Sequence, residues 1–231
     1  MMLSQWYDPL LIVGTEPTLP SRVAALLDAL GVDIRPVPSH RDATVTRWED
    51  LEFGQALMAL LCAKISLRTF NLRIAILSEQ RRRLRKPWGM ASAHMAEVLV
   101  PVLSHYLNPL VLWCQCEVAD AADMLLSVQP PAPGWAYPDA MALCTRRHQA
   151  LTRWLEGYRV CVVTADELRA RGSAIVDLLV VQCGLTPTSG QWYQARTLRD
   201  TVRKDQSYAD DEKENGDEGR AGHGLHARQE G

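Results

Sequence analysis

The sequence lacks the long apolar segments of a membrane protein and the leader of a secreted one. No apolar run approaches the roughly 18 residues that cross a bilayer. The opening residues, MMLSQWYDPLLIVGT, contain no basic segment followed by a small-residue cleavage site. These absences predict a cytoplasmic protein with no membrane partner.

Metal-binding cysteine pairs and a strong net charge are also missing. The six cysteines form no C-x-x-C pair and no Cys/His spacing that suits zinc, so we expect buried thiols and no metal site. The net charge is −2. Residues 205–231 hold eight acidic and three basic residues, which leaves a charge of +3 on residues 1–204. That small excess does not favour nucleic acid as a partner.

Length and composition predict a single domain followed by a tail. A chain of 231 residues that is 47% hydrophobic can bury one core, and we place the domain at residues 1–204. Residues 205–231 are charged, contain glycine and have almost no apolar side chains, which predicts a disordered tail. An acidic tail of this kind is a candidate arm for a protein partner.

Apolar strands alternate with helical patterns along the chain. Strands are predicted in LLIVGT, NPLVLWCQC and RVCVVTADEL, and PWG suggests a further short one. The helix SRVAALLDALGV has Ser21 as a candidate N-cap and Gly31 as a C-cap. Further helices are predicted over 47–67, 70–86, 93–107, 118–128, 140–158 and 172–185. Pro101 marks a kink or boundary in the third of these. The alternation predicts an α/β fold of three αβα layers with a mainly parallel sheet, and ligands on such sheets bind beyond the carboxyl ends of the strands.

The first strand runs into the loop GTEPTLPS, and a helix follows. This outline is typical of a phosphate-binding loop, because a helix N-terminus attracts an anion. The loop has neither the second glycine nor the lysine of GxxxxGK[ST], which argues against an ordinary nucleotide-binding P-loop.

The order of five segments resembles the sulfotransferase family. GTEPTLPSRVAALLDALGV stands at the family's first loop, GTPRSGTS, and RWEDLEFGQAL stands at its acidic helix start. KPWGMASAHM corresponds to the family segment PWGWKDPR, and LVLWCQCEVADAADML corresponds to the family strand and helix FVLVLRDPxEVAxSL. ALTRWLEGYRVCVVTADELRA corresponds to a family helix and a strand that ends near YEDL. The resemblance covers roughly residues 8–188. It implies a P-loop-type fold, the donor 3′-phosphoadenylyl sulfate (PAPS, with product PAP), and sulfuryl transfer to a hydroxyl or amine of a small-molecule or glycan acceptor.

The resemblance also implies site residues. Glu49 corresponds to the acid that opens the second helix and is a candidate general base, although it can also simply complement the helix dipole. His94 is a candidate for a different reason, since it lies beside PWG at the carboxyl side of a predicted short strand, where it could contact phosphate or act as a base. A structural role is the alternative. The donor-binding positions are Gly14, Thr15, Thr18, Ser21, Arg22, Gln115 and Asp123.

Several of these positions depart from the family pattern. Pro17 stands where the family has a basic residue, Leu19 replaces glycine, and Pro20 has no N–H to donate. Gln115 and Asp123 stand at the arginine and serine that hold the donor's 3′-phosphate, and a carboxylate there repels a phosphate. Residues 91–94 replace lysine, acid, proline and arginine. Two hypotheses therefore stay open, a sulfotransferase and a non-catalytic binding or regulatory module of the same fold.

An enzyme would need other cations in the cleft. The candidates are Arg22, Arg68, Arg73 and Arg85. The basic run RRRLRK at 81–86 can also be a solvated helix end.

Overall fold

A computed structural model of the chain describes residues 8–16, 18–35, 51–92, 94–128, 136–170 and 174–200. Pro17, the candidate base Glu49 and the tail 205–231 lie outside the described residues. The assignment of residues 1–204 to a single domain therefore stays a prediction.

The core of the fold is a four-stranded sheet in which every pairing is parallel. The strand order is β2-β1-β3-β4. The strands are β1 Leu10–Gly14, β2 Gly89–Ala91, β3 Leu110–Gln115 and β4 Arg159–Thr164. β1, β3 and β4 match the three predicted apolar strands, and β2 begins at the last residue of PWG. The predicted α/β fold with a parallel sheet is confirmed.

Helices connect the strands and cover both faces of the sheet. They are α1 Thr18–Ala29, α2 Leu51–Leu61, α3 Leu67–Arg82, α4 Met95–Leu103, α5 Val118–Val128, α6 Tyr137–Trp154, α7 Ala165–Ala170 and α8 Ala174–Cys183. Gly31 follows α1 with a φ of 94°, which confirms the predicted glycine C-cap. Helix α4 contains Pro101 and has a kink at Val98, where φ is −129°.

A further helical stretch, 189–200, was not predicted from the sequence. Its start is held by two reciprocal hydrogen bonds. The Thr188 backbone N–H donates to Gln191 Oε1 at 2.8 Å, and the Gln191 N–H donates to Thr188 Oγ1 at 3.3 Å. This is a capping box, and its T-x-x-Q signature is visible in the sequence.

Alternate residues of each buried strand point into two separate cores. Leu10 and Ile12 of β1 pack in the core that contains α1 and α8. Leu11 and Val13 pack in the opposite core, with residues of α2, α3, α4 and α6. Because both faces are buried, β1 reads as an unbroken apolar run, and the three-layer architecture is confirmed.

The basic run 81–86 is not simply a solvated helix end, because Arg81 is fully buried. Its Nη1 donates to the carbonyl oxygens of Asp33 at 2.9 Å and Gly89 at 3.3 Å. Arg81 therefore ties α3 to the sheet next to β2, whereas Arg83 and Arg85 are exposed.

Four of the six cysteines are buried, as expected, and Cys62 is exposed. All six are free thiols. Within the described ranges, no helix combines the length and apolarity that a membrane crossing requires.

The strand order reverses between β1 and β3. The chain passes from β1 to β2 on one side of β1 and returns to β3 on its other side. The connection from β1 to β2 begins with α1 on one face and continues through α2 and α3 on the other, and the connection from β3 to β4 includes α6 on that second face. In sheets of this type the ligand crevice lies at such a reversal, beyond the carboxyl ends of the strands. The loops after Gly14 and Gln115 are therefore the candidate site.

Candidate functional site

The N-terminus of α1 is occupied by a side chain of the same loop. The Glu16 carboxylate accepts hydrogen bonds from the backbone N–H groups of Thr18 and Leu19, the latter at 2.5 Å. Glu16 is only 1% exposed. The first N–H groups of a helix have no partner within the helix and are the groups that bind a phosphate in an anion site. Here they bind the chain's own carboxylate.

This contact also explains where α1 begins. The sequence pattern suggested a start at Ser21, but the helix starts three residues earlier, at Thr18. A carboxylate that accepts backbone N–H groups at a helix start stabilises that start through hydrogen bonds and the helix dipole. Ser21 consequently lies inside the first turn of the helix and is not its N-cap.

The environment of Glu16 is strongly desolvated. Burial raises its pKa, although the hydrogen bonds from Leu19 and Thr18 and the charge of Arg22 oppose that rise. Glu16 and Arg22 line a cavity of about 20 Å³ together with Cys116 and Asp120. That volume holds a water molecule but not a phosphate group.

Gly14 and Thr15 hold the loop in place through packing. A Cβ on Gly14 would lie 2.6 Å from Pro20 Cγ, so the glycine allows α1 to pack closely on the sheet. Thr15 is 1% exposed. Its hydroxyl lies 3.8 Å from Cys116 Sγ, and its carbonyl accepts a hydrogen bond from Arg147.

A larger cleft lies beyond the carboxyl ends of β3 and β4. It has a volume of about 340 Å³. Its lining includes three carboxylates, one imidazole and two neutral polar side chains, and the described residues around it include no lysine or arginine. These polar lining residues are Glu117, Asp120, Asp166, His148, Gln115 and Thr164. The carboxylates make the cleft unfavourable for a phosphate dianion.

The two residues predicted near the donor's 3′-phosphate are in different surroundings. Gln115 lies in the cleft, at the end of β3. Asp123 is exposed on α5, one helical turn beyond Asp120, and does not line the cleft.

The arginines considered as compensating cations do not line this cleft either. Arg68 and Arg73 are exposed on α3, and Arg85 is exposed just after it. Arg22 lies next to Glu16. In the described part of the chain, therefore, none of the four lines the cleft, and Arg22 lines the adjoining cavity that shares Cys116 and Asp120 with it.

His94 belongs to a cluster of three charged or titratable side chains. It precedes α4, and its Nδ1 lies 3.6 Å from Glu97 Oε1 in the first turn of that helix. Arg147 Nη2, from α6, lies 3.3 Å from the same Nδ1. Arg147 is 5% exposed, and its Nε donates to Glu97 Oε1 at 2.9 Å. The His94 side chain is 33% exposed, so one edge of the imidazole reaches solvent.

Glu97 is ionised in this cluster. Burial acts to raise its pKa, but the hydrogen bond from His94 and the charge of Arg147 hold the pKa below its ordinary value. Arg147 Nη1 also donates to the Thr15 carbonyl at 3.1 Å. The cluster is therefore joined to the loop that contains Glu16.

Sequence reasoning missed Glu16, Glu97 and Arg147. The spacing of His94 and Glu97 is a helical i, i+3 pair that a local search can find. Arg147 reaches Thr15 across 132 positions of the chain, and no local pattern indicates that contact.

The fold is α/β, and the strand order reverses between β1 and β3. At that point the N-terminus of α1 is occupied by the chain's own Glu16 carboxylate. Comparison of the chain with protein-family models, with curated proteins and with solved structures found no match.

Proposed function

We propose that this chain is a non-catalytic binding or regulatory module of sulfotransferase-like, P-loop-type fold. The observation that carries the proposal is the Glu16 carboxylate at the N-terminus of α1, where the donor's 5′-phosphosulfate would bind. A phosphate can bind there only after it displaces a buried group that already satisfies the same N–H donors. Arg22, the basic side chain of that helix turn, already faces the Glu16 charge.

The charge of the cleft supports the same proposal. Glu117 and Asp120 favour a ligand group that carries positive charge, such as an ammonium or guanidinium. A basic small molecule or a basic segment of a protein fits this lining better than PAPS or PAP does. The acidic tail 205–231 stays a candidate arm for a protein partner.

Thermal unfolding in the presence of PAP tests the proposal. A ligand at a hundredfold excess over its dissociation constant adds about 2.7 kcal/mol to the free energy of unfolding, which is a readily measured shift in Tm. We expect no saturable shift for the wild-type chain with PAP on the order of 1 mM. A saturable shift would show that the donor site still works.

A second candidate function is sulfuryl transfer itself, and the pairing of His94 with Glu97 favours it. The imidazole would accept the proton of an acceptor hydroxyl while the hydroxyl oxygen attacks the sulfur of PAPS. The bond between that sulfur and the 5′-phosphate oxygen would break, PAP would leave with the electron pair, and the Glu97 carboxylate would stabilise the imidazolium. Glu49, the base implied by the family resemblance, would be the alternative proton acceptor. This function requires that the donor displace Glu16.

Transfer of labelled sulfate from PAPS to simple phenols, amines and glycans tests this second function. Turnover that is lost in His94→Ala and retained in Asp123→Ala would favour the enzyme. No transfer to any of the three acceptor classes, together with no PAP binding, leaves the binding module as the function.

A further inference from the structure

Strand β4 forms one edge of the sheet. The strand order gives β4 a single neighbouring strand, β3, in the described part of the chain. In a parallel pairing, the N–H and C=O groups of every second residue point away from the neighbouring strand. Such an edge is a template on which another extended chain can form backbone hydrogen bonds.

The backbone of Thr164 identifies the residues of β4 whose N–H groups point outward. Its N–H donates to the Glu167 carboxylate at 3.1 Å, which directs it away from β3. Because the direction alternates along a strand, the N–H groups of Val160 and Val162 point to the same outer side. Outside the pairing with β3, no backbone hydrogen bond among the described residues involves either valine.

The side chains of these outward-facing residues lie on the α6 side of the sheet. Val160 packs against the core that contains α6, and Val162, two positions further along, is 40% exposed on that side. Thr164 follows at the end of the strand and lines the cleft of about 340 Å³. The edge of β4 therefore offers apolar surface to alternate side chains of an added strand, and it leads into the cleft.

The carboxylates of the cleft determine which charge suits the added segment. Glu117 and Asp120 line the cleft near Gln115, the residue that pairs with Thr164 in the sheet. Neither carboxylate forms an ion pair within the part of the chain that the structure describes. A lysine or arginine side chain that enters the cleft would supply the complementary charge.

We propose that β4 and the cleft together bind an extended basic segment of a partner protein, which adds a strand to the sheet. The inference rests on the proposed binding function and names the ligand of the same cleft. The segment runs antiparallel to β4, since antiparallel pairs are slightly more stable per residue than parallel ones. Its basic residue then lies near its N-terminal end, beside Glu117 and Asp120, and its alternate apolar residues pack beside Val162 and Val160.

Fluorescence anisotropy with short synthetic peptides tests the proposal. The probe is N-acetylated Arg-Thr-Val-Thr-Val-Thr with a label at its C-terminus. We expect saturable binding that is at least about tenfold tighter than that of Glu-Thr-Val-Thr-Val-Thr or of N-acetylarginine amide. Absence of binding by the arginine peptide, or equal binding by N-acetylarginine amide, overturns the proposal. Tighter binding of the reversed peptide, Thr-Val-Thr-Val-Thr-Arg, overturns the antiparallel direction.

Val162→Pro separates backbone pairing from side-chain contact. Proline removes the outward N–H and is tolerated on the solvent side of an edge strand, so circular dichroism should be unchanged while peptide binding weakens at least about tenfold. Val162→Thr is the matched control, since it keeps the N–H and the branched shape, and it should bind the peptide as the wild type does. Unchanged affinity in folded Val162→Pro overturns the proposal.

A charge variant tests the cleft without altering the edge. Glu117→Gln combined with Asp120→Asn should weaken binding of the arginine peptide by about tenfold, and this result does not depend on how well Val162→Pro folds. Unchanged affinity in this double variant also overturns the proposal. A rise in Tm caused by PAP would instead contradict the proposed binding function, so the two failures are distinguishable.

Discussion

Arg147 and Glu97 form the central ion pair beneath the candidate site, with Nε 2.9 Å from Oε1. The guanidinium also donates to the Thr15 carbonyl at 3.1 Å, so one side chain connects α4, α6 and the loop after β1. Its contacts with Glu97, Thr15 and His94 use the fork of donors that the arginine side chain provides.

We expect Arg147→Met to destabilise the protein. The variant keeps the apolar bulk of the side chain but leaves the Thr15 carbonyl and the Glu97 carboxylate without their donor. Breaking a fully buried pair costs about 3–5 kcal/mol. Because the Glu97 side chain is 27% exposed, a loss of about 2 kcal/mol is expected in urea unfolding.

A double-mutant cycle separates the ion pair from the other contacts of Arg147. The Arg147→Met variant that also carries Glu97→Gln should lose less stability than the sum of the single variants. If the stability losses of the two single variants simply add in the double variant, Arg147 and Glu97 do not stabilise each other.

Two carboxylates of the site should make the free energy of unfolding change with pH in opposite directions. The pKa of Glu97 is lowered in the folded state, so its stabilising contribution is present above the ordinary value of 4.5 and is lost as the pH falls through the folded-state pKa. The pKa of Glu16 is raised, so its contribution is present below 4.5 and is lost as the pH rises through the folded-state pKa.

Urea unfolding between acidic and neutral pH checks both signs. Glu97→Gln should remove part of the stability loss at low pH. Glu16→Gln should remove part of the loss that accompanies rising pH. If both substitutions changed the pH dependence of the free energy of unfolding in the same direction, the direction of one of the two pKa shifts would be wrong.

Much of the fold follows from the sequence, because buried parallel strands produce unbroken apolar runs and helices produce a 3.6-residue period. LLIVGT predicts β1, and Gly31 predicts the end of α1; both predictions are confirmed. The occupant of the helix N-terminus was missed because the start of α1 was placed at Ser21. With the start at Thr18, Glu16 lies where a capping carboxylate acts.

Other features of the site depend on tertiary packing. The burial of Arg81 and the reach of Arg147 to Thr15 join residues 48 and 132 positions apart. A run of arginines alone does not reveal which member turns inward to bind backbone carbonyls.

We expect Gly14→Ala to destabilise the junction of β1 and α1. The added methyl group would lie 2.6 Å from Pro20 Cγ and 3.1 Å from the Cys114 carbonyl oxygen, so α1 must shift. Overpacking of this kind costs about 1–3 kcal/mol. Gly54→Ala is the matched control, since a Cβ there meets nothing within 4 Å. Thermal unfolding of the two variants should show a loss for Gly14→Ala alone.

Anion binding by wild type and Glu16→Ala tests the central claim most directly. Removing the carboxylate releases the N–H groups of Thr18 and Leu19 and the nearby charge of Arg22 for an external anion. Asp123→Ala is the control, because it removes an exposed carboxylate from α5. Calorimetric titration with inorganic sulfate, which needs only the helix N-terminus and not the acidic cleft, should show saturable binding to Glu16→Ala and none to wild type or Asp123→Ala. Equal behaviour of wild type and Glu16→Ala, with binding or without it, would contradict the role of Glu16 as the occupant of an anion site.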